Sequence, residues 1–296
     1  MRVLILGAGG QLGRALGPAL RARGHEPIGQ PRAAVDLTVA EQVVGALDRY
    51  QPSVVVNAAA YTAVDRAELE AERAFAVNAY GLRPLVHACA ARGLPLCHVS
   101  TDFVFGGPGP TPRRPWRETD PPQPLGVYAR SKRAGELEYL HGGGPGYLVR
   151  TAWLYGERGP NFVLTMARLA RRHPRLRVVA DQVGTPTWTG HLAPALAELI
   201  ETGAFGVYHL TNQGQTTWHG LAQAVVAGLG LDVPVDPIST AEFGAPAPRP
   251  AYSVLDNAAW RQLGRPPLPP WEAGLRAYLE AERAGAVADA LRAGDA

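Results

Sequence analysis

The sequence has 296 residues, of which 46% are hydrophobic, enough for one large domain or two smaller ones with a buried core. Its net charge is only +3, and its arginines are scattered without a basic and aromatic stripe, which argues against nucleic acid as a partner. No apolar run is long enough to span a bilayer, and no signal-peptide pattern precedes the first strand-like run. We therefore expect a cytoplasmic protein with no membrane partner.

The first half of the chain alternates short β-branched runs with helical runs. Strands are predicted at 3–6, 26–29, 53–57 and 95–100, and helices at 12–23, 39–50 and 68–91. Thr38 and Glu41 fit a capping box for the second of these helices. Strands separated by helices form right-handed βαβ units with parallel strands. The pattern predicts an α/β protein with a Rossmann-type, doubly wound parallel sheet.

A segment rich in proline and glycine, residues 106–126, interrupts this pattern and is predicted to be a functional loop. The elements predicted after it are a helix ending at Gly142, a strand at 147–151, helices at 162–172, 191–201 and 218–229, and a fraying helix after Glu280. We predict a dinucleotide-binding domain over residues 1–155. A smaller, mixed α/β substrate-binding domain follows over 156–296, and the chain is expected to cross back between the two.

A glycine-rich segment directly follows the first predicted strand and opens the first helix. Gly7, Gly10 and Gly13 have the spacing Gly-x-x-Gly-x-x-Gly. Glycine lets the backbone approach a pyrophosphate, and the helix N-terminus supplies N–H groups and positive potential. A plain tight turn also uses glycines, but the position at the first strand–helix junction favours dinucleotide binding.

Tyr128 and Lys132 are four residues apart at the start of the helix that follows the proline-rich loop, so they share one helix face. A free phenol, with a pKa of about 10, holds its proton too tightly for fast exchange at neutral pH. A neighbouring ammonium is expected to lower the pKa of Tyr128 into the working range. Thr101 and Asp102 end the fourth predicted strand, where a hydroxyl can reach a bound carbonyl oxygen.

Lys132 is the only lysine among 29 cationic residues. Its amine, unlike a guanidinium, is a compact charge whose pKa shifts when it is buried. The coincidence of this lysine with Tyr128, Thr101 and the glycine loop predicts an oxidoreductase that uses a nicotinamide cofactor, with Tyr128 as the proton donor and Lys132 as its partner.

These features together resemble the extended short-chain dehydrogenase/reductase superfamily. The finer similarity lies in four segments: Asn57-Ala-Ala-Ala-Tyr-Thr-Ala-Val-Asp65, Ser100-Thr-Asp-Phe-Val-Phe105, Arg150-Thr-Ala-Trp-Leu-Tyr155 and Asp181-Gln-Val-Gly-Thr-Pro-Thr187. They resemble the dTDP-4-dehydrorhamnose reductase family from residue 1 to about residue 278. The resemblance implies reduction of the 4-keto group of a dTDP-linked 6-deoxy sugar.

The resemblance also implies a role for each matching residue. The residues implied to bind the cofactor are Gly7, Gly10, Gln11, Leu12, Gly13, Asp36, Leu37, Ala59, Ala60, Thr62, Val99, Tyr128 and Lys132. Those implied to contact the nucleotide sugar are Thr101, Asp102, Tyr128 and Trp153. In this scheme Tyr128 protonates the C4 oxygen, Lys132 holds the nicotinamide ribose and Trp153 packs on the sugar ring.

The end of the second strand bears on the choice of cofactor. An acidic residue there binds the ribose hydroxyls of NAD and repels a 2′-phosphate. Here the segment reads Gly29-Gln30-Pro31-Arg32, with no acid and with Arg32 as a cation. We therefore predict that NADPH is preferred and that NADH is a weaker alternative, because Asp36 partly substitutes for the missing acid.

The resemblance raises the question of a metal, since some family members are dimers bridged by magnesium through carboxylates. This chain has Ala15 and Gly190 at the two carboxylate positions, so two oxygen ligands for a hard cation are missing. We predict no metal at that site, and a homodimer, if it forms, held in another way.

Two other functions stay open. One is another enzyme of the superfamily, such as a nucleotide-sugar epimerase or dehydratase. A dehydratase usually carries an Asp–Glu pair after the threonine, whereas here Asp102 is followed by Phe103. The other is a non-catalytic regulatory subunit resembling that of methionine adenosyltransferase, which the presence of Thr101, Tyr128 and Lys132 together disfavours.

Overall fold

The computed structural model describes residues 1–107, 114–157, 159–282, 285 and 287. Its strands are β1 (Arg2–Leu6), β2 (Glu26–Gln30), β3 (Val54–Asn57), β4 (Leu96–Thr101), β5 (Gly146–Thr151), β6 (Leu154–Tyr155), β7 (Leu176–Val179), β8 (Val183–Gly184), β9 (Thr187–Trp188), β10 (Gly206–His209), β11 (Thr216–Thr217) and β12 (Val235–Ile238). Its α-helices are α1 (Gln11–Ala22), α2 (Ala40–Tyr50), α3 (Val64–Ala67), α4 (Ala71–Phe75), α5 (Leu82–Ala91), α6 (Val127–His141), α7 (Phe162–Arg172), α8 (Thr189–Leu199), α9 (Trp218–Gly228), α10 (Thr240–Phe243), α11 (Ala258–Gln262) and α12 (Trp271–Ala281).

The main sheet confirms the predicted fold class. Its six strands are parallel and lie in the order β10-β5-β4-β3-β1-β2, so the chain winds outward from β1 in both directions. Ligands of such sheets bind outside the carboxyl ends of the strands, where the winding direction reverses. Here that point lies between β1 and β3.

The two faces of the sheet are covered by different helices. Val3 and Ile5 of β1 pack with residues of α1 and α8, whereas Leu4 and Leu6 pack with residues of α2 and α5. This division follows from the two-residue period of a strand, which points successive side chains to opposite faces. Burial on both faces explains why β1 and β3 read as continuous apolar runs.

A smaller lobe is built from the second half of the chain. Its core is formed by α7, α9 and α12, and its strands pair in short two-stranded sheets. The chain nevertheless returns to the main sheet, because β10 pairs with β5 and Trp260 packs in the core beneath it. The domain boundary at residue 155 stays a prediction.

Two local predictions were wrong, and two others lie partly or mostly outside the described residues. The capping box is absent: the Thr38 hydroxyl donates to Asp36 Oδ1 at 2.7 Å, and the N-cap of α2 is Val39, without a side-chain bond. The helix predicted at 68–91 is interrupted by a π-helical turn, Ala76–Tyr80, between α4 and α5. Most of the predicted tail helix and residues 108–113 of the proline-rich loop lie outside the described residues.

The π-helical turn has a structural reason. Its residue Asn78 is buried, accepts a bond from Tyr61 N at 2.8 Å and donates to the Ser131 hydroxyl of α6 at 2.9 Å. Gly135 of α6 lies against the Asn78 carbonyl so closely that a β-carbon would overlap it. The turn therefore fixes the position of α6, which carries Tyr128 and Lys132.

Among the helices of the described residues, none is both long enough and apolar enough to cross a bilayer.

Candidate active site

A cleft of about 690 Å³ lies at the carboxyl ends of the strands, between the main sheet and the smaller lobe. The predicted residues that line it are Gly10, Gln11, Leu12, Ala60, Thr62, Val99, Thr101, Asp102, Tyr128, Lys132 and Trp153. An adjoining cavity of about 360 Å³ is lined by Gly7, Gly10, Arg32, Asp36, Leu37, Ala59, Ala60 and Thr62. Gly13 lies beneath the glycine loop rather than on either surface.

The glycine loop forms the floor at one end of the cleft. Gly7 has φ +77°, and a β-carbon there would overlap the backbone of Ala59. A β-carbon on Gly13 would overlap the Gly7 carbonyl, so both positions require glycine for close packing. The N-cap of α1 is Gly10, which makes no side-chain bond to the first turn. The N–H groups in the first turn of α1 therefore remain available to bind an anion.

Arg32 and Asp36 lie together at the far wall of the adjoining cavity. Arg32 Nε donates to Asp36 Oδ2 at 3.0 Å, and Thr38 N donates to Asp36 Oδ1 at 2.9 Å. The bonds from Thr38 and Arg32 hold the pKa of Asp36 below its usual value. The cation and the carboxylate predicted to influence cofactor choice thus form one ion pair.

Thr101 and Asp102 end β4 and are both buried. The Thr101 hydroxyl donates to Asp102 Oδ1 at 3.0 Å and accepts from Phe103 N at 3.2 Å. Burial raises the pKa of Asp102 to about 7, although the hydroxyls of Ser253 and Thr101 bond to it and oppose the rise. This carboxyl group is therefore only partly ionised at neutral pH.

Tyr128 lies in the first turn of α6, where Gly126 is the N-cap. Its ring packs edge-on against Phe103, with the centroids 5.7 Å apart. Burial raises the pKa of Tyr128 to about 12, and a hydrogen bond with Thr101 offsets only part of this rise. The expected lowering of this pKa by Lys132 was wrong, because burial of the phenol outweighs the hydrogen bond with Thr101, which lowers the pKa.

Lys132 is 2% exposed, and its Nζ donates to the Val99 carbonyl of β4 at 2.8 Å. Burial lowers the pKa of its ammonium to about 8, while the carboxylate of Glu136, one turn later, opposes the shift. Glu136 is itself buried and accepts two bonds from Arg150, at 2.8 and 2.9 Å. A buried ion pair thus lies directly behind the lysine.

Trp153 lies on the wall of the cleft and has φ 44°, which is uncommon for a residue other than glycine. Trp218, at the start of α9, stacks on it with ring centroids 3.5 Å apart and an angle of 3° between the rings. Gln182 accepts a bond from Trp218 Nε1 at 3.1 Å, and Gly184 leaves room for the Trp153 ring. Strained backbone of this kind is concentrated at functional sites.

Several residues that line the cleft had no predicted role, and Trp218 and Arg249 are two of them. Trp218 and Arg249 both line it, yet they lie 65 or more residues beyond Trp153 and in no motif that was assigned a role. The sequence signal for Trp218 was the isolated aromatic residue at a helix start. The sequence signal for Arg249 was only its position between two prolines, Pro248 and Pro250.

Within the residues that the structure covers, no three His, Cys, Asp or Glu side chains lie close enough together to hold a metal ion. The predicted lack of a bridging magnesium ion therefore remains a prediction that needs a measurement.

Comparison with known proteins places this chain in a family. A family model described as RmlD substrate binding domain matches residues 1–284. The dTDP-4-dehydrorhamnose reductase of Streptomyces griseus is 47% identical over 93% of this chain and 91% of its own length. A dTDP-4-keto-6-deoxy-D-glucose reductase of Streptomyces niveus is 40% identical over 93% of this chain and 95% of its own length. The crystal structure of dTDP-4-dehydrorhamnose reductase from Bacillus anthracis, in complex with NADP, has a TM-score of 0.90 and 37% identity, and the match covers 95% of this chain and 99% of that one. The chain belongs to the dTDP-4-dehydrorhamnose reductase family.

Proposed function

We propose that this protein reduces the 4-keto group of dTDP-4-dehydrorhamnose with NADPH and releases dTDP-L-rhamnose. The observation that carries the proposal is the placement of Thr101, Tyr128 and Lys132 in one cleft, beside the glycine loop. Family membership supports the class of substrate, and the NADP complex of the Bacillus anthracis relative supports the cofactor.

The residues of the cleft fit a dinucleotide. The glycine loop has no β-carbons at Gly7 and Gly13, where they would fill the space the backbone needs, and the uncapped start of α1 offers N–H groups to a pyrophosphate. Arg32 and Asp36 would meet the adenosine end in the adjoining cavity. When bound, the reduced nicotinamide supplies a hydride to the carbonyl carbon.

The protein's own residues supply and stabilise the proton. Tyr128 is protonated at neutral pH, because its pKa is raised to about 12, so it enters the reaction as an acid. It donates this proton to the C4 oxygen of the sugar. The Thr101 hydroxyl then turns its single hydrogen from Asp102 to the phenolate that is left. Lys132, whose pKa is about 8, remains largely protonated at pH 7 and stabilises the same negative charge.

Trp153 and Asp102 are proposed to hold the sugar ring. Trp153 offers an apolar face on the wall of the cleft, and Asp102, buried beside Thr101, offers a carboxyl group that donates or accepts according to its protonation. Both lie in the cleft that contains Tyr128, so they can orient the 4-keto group toward the phenol.

A second candidate substrate is dTDP-4-keto-6-deoxy-D-glucose. The 40% identical relative from Streptomyces niveus is named for that activity, and its chemistry at C4 is the same. The experiment is therefore a comparison of NADPH oxidation, followed by absorbance, with dTDP-4-dehydrorhamnose, with dTDP-4-keto-6-deoxy-D-glucose and with a UDP analogue. Absence of NADPH oxidation with all three would refute the proposal.

Variants of the two central residues complete the test. Lys132→Arg keeps the charge but brings a larger, planar group, and we expect a loss of kcat/KM on the order of a hundredfold or more. Tyr128→Phe removes the proton donor and is expected to be at least as damaging while NADPH still binds. Arg130→Lys, the reverse exchange at an exposed position of the same helix, is the control and is expected to retain activity.

A further inference from the structure

A buried cluster of charges lies between α6 and β5, behind Lys132. Glu136 of α6 is 0% exposed, and it accepts bonds from Nε and Nη2 of the buried Arg150 of β5, at 2.8 and 2.9 Å. Its Oε2 also accepts from Arg133 Nη1 at 2.8 Å. Burial opposes the ionisation of Glu136, but the bonds from Arg150 outweigh it and hold its pKa below the usual value. A buried ion pair is often no more stable than apolar residues of similar volume, so its presence requires a reason other than stability.

Arg150 is fixed by contacts beyond Glu136. Its Nη1 lies 3.3 Å from His209 Nε2 on β10, and His209 Nδ1 lies 3.0 Å from the Trp116 carbonyl. Burial and the charge of Arg150 lower the pKa of His209 to about 3, so the neutral ring donates through Nδ1 and accepts through Nε2. The guanidinium also lies over the Phe105 ring, 5.1 Å from its centroid. Arg150 is therefore held against Glu136, and it stays charged, because a guanidinium does not lose its proton in proteins.

The cluster contains a second buried cation, Lys132, one helical turn before Glu136. The ammonium is bonded to the Val99 carbonyl, which carries no charge. The carboxylate of Glu136 attracts this ammonium and favours its charged form, against the effect of burial. Without that carboxylate, Arg150 would remain charged, and Lys132 would be the group that loses its proton. The charge on the lysine therefore depends on Glu136.

The other titratable groups near Lys132 do not supply this negative charge at neutral pH. His98 of β4 is neutral, because burial and the charge of Lys132 lower its pKa well below the usual value. Tyr128 is uncharged as well, since its pKa is raised to about 12. Asp102 lines the same cleft, but burial raises its pKa to about 7, so it is only partly ionised. Among these described groups, Glu136 is the one that is fully ionised at neutral pH.

We propose that Glu136, held by Arg150, is a positioning residue of the reaction, which keeps the Lys132 ammonium protonated beside Tyr128. The inference rests on the proposed function for the role of Lys132. Removal of the carboxylate is expected to move the alkaline limb of the pH profile of kcat/KM to lower pH by about 1 pH unit or more, the range for loss of a nearby opposite charge. On the alkaline side, this shift lowers kcat/KM by about tenfold.

The test uses the fact that Lys132 is the only lysine of the chain. Full-length protein labelled with ¹³C at the lysine ε-carbon gives one side-chain NMR signal, whose pH titration reports the pKa of Lys132 without turnover. In Glu136→Gln this pKa is expected to fall by about 1 pH unit or more, whereas Glu136→Asp keeps the charge and is expected to stay nearer to the wild type. The control is Glu138→Gln, which removes a partly exposed carboxylate of the same helix, bonded to Arg83 Nε at 2.8 Å, and is expected to leave the pKa unchanged.

A purely structural role for Glu136 predicts the opposite sign. Loosening of the core would admit water to the ammonium and raise its pKa toward 10.5. A rise or no change in folded Glu136→Gln would therefore overturn the inference. If that variant does not fold, Glu136→Gln combined with Arg150→Met removes both charges of the pair with little change in volume. The pKa of Lys132 is expected to fall there too, because Glu136 is the charged group that acts on the ammonium, and the absence of a fall would again refute the inference.

The kinetic measurement is the pH profile of kcat/KM for NADPH oxidation with the nucleotide sugar. The wild type and Glu138→Gln are expected to share one alkaline limb, and Glu136→Gln to have its limb at lower pH. An unmoved limb despite a lowered pKa of Lys132 would reject the link between Glu136 and the reaction. A wild type without turnover, together with a lowered pKa in Glu136→Gln, would reject the proposed reaction and retain Glu136 as the group that keeps Lys132 charged.

Discussion

The buried charge of Lys132 is expected to lower the free energy of unfolding of the protein. The variant Lys132→Met tests this expectation. Burial lowers the pKa of the ammonium from 10.5 to about 8, which corresponds to about 3 kcal/mol of unfavourable free energy while the group is charged. Methionine has a similar shape and no charge. It also leaves the Val99 carbonyl without the bond from Nζ, at a net cost of about 1 kcal/mol.

The balance predicts that Lys132→Met is more stable than the wild type by about 2 kcal/mol at pH 7, or about 3 °C in Tm for a chain of 296 residues. The sign of the pH dependence follows from the two pKa values. Between pH 8 and 10.5 the unfolded wild type holds a proton on Lys132 that the folded state has released, so wild-type stability rises with pH. The advantage of methionine is therefore full below pH 8 and disappears as the pH approaches 10.5.

Urea unfolding of both proteins at pH 7, 8, 9 and 10 is the measurement, with NADPH oxidation measured in parallel. Arg130→Met, at an exposed site of the same helix, is the control and is expected to change stability by less than about 0.5 kcal/mol at every pH. A methionine variant less stable than the wild type at pH 7, or a difference independent of pH, would refute the reasoning. Activity of Lys132→Met is expected to be lost at all pH values.

Three further predictions concern the cofactor, the metal and the aromatic wall. NADPH is expected to give a higher kcat/KM than NADH, and Arg32→Ala to reduce the ratio by about tenfold, since a charge-assisted bond to the 2′-phosphate is lost; a clear NADH preference of the wild type would contradict this. Activity is expected to be unchanged by a chelator, because carboxylates are missing at Ala15 and Gly190; recovery of lost activity by added magnesium would show the opposite. Trp218→Ala is expected to raise the KM for the nucleotide sugar by about tenfold with little effect on the KM for NADPH, since Trp153 loses the ring that supports it; an equal rise in both values would indicate a general structural defect.

The parts of the site that were predictable from the sequence lie at strand ends or within one helical turn. The glycine loop and the Tyr128–Lys132 pair are local patterns whose spacing is dictated by the first strand–helix junction and by the helical repeat. The positions of β1, β3, β4 and β5 were also predictable, because these strands are buried and read as largely apolar runs, whereas β10 was not predicted. These signals require no knowledge of distant contacts.

The remaining parts depend on contacts between distant segments. Trp218 meets Trp153 and Arg249 meets Asp65 only because the chain returns over the cleft, and neither pair has a spacing that a sequence pattern reveals. The interruption of the long helix depends on bonds from Asn78 to Tyr61 and Ser131, which override good local helix propensity. The pKa of Tyr128 depends on its desolvation in the folded cleft, which the helical spacing does not report.

The return of β10 to the main sheet has a consequence for the order in which the protein forms during synthesis. When the ribosome has released only residues 1–155, β5 is an open edge, and Tyr147 and Val149 lack the α8 and Trp260 side chains that later cover them. An apolar edge strand of this kind is a template for wrong pairing with other chains. The N-terminal sheet is completed only after residue 209 has emerged, and its core only after residue 260. A fragment ending at residue 155 is therefore expected to aggregate. For the same reason, fusion partners or truncations are best placed at the chain ends, where β10 and Trp260 are retained.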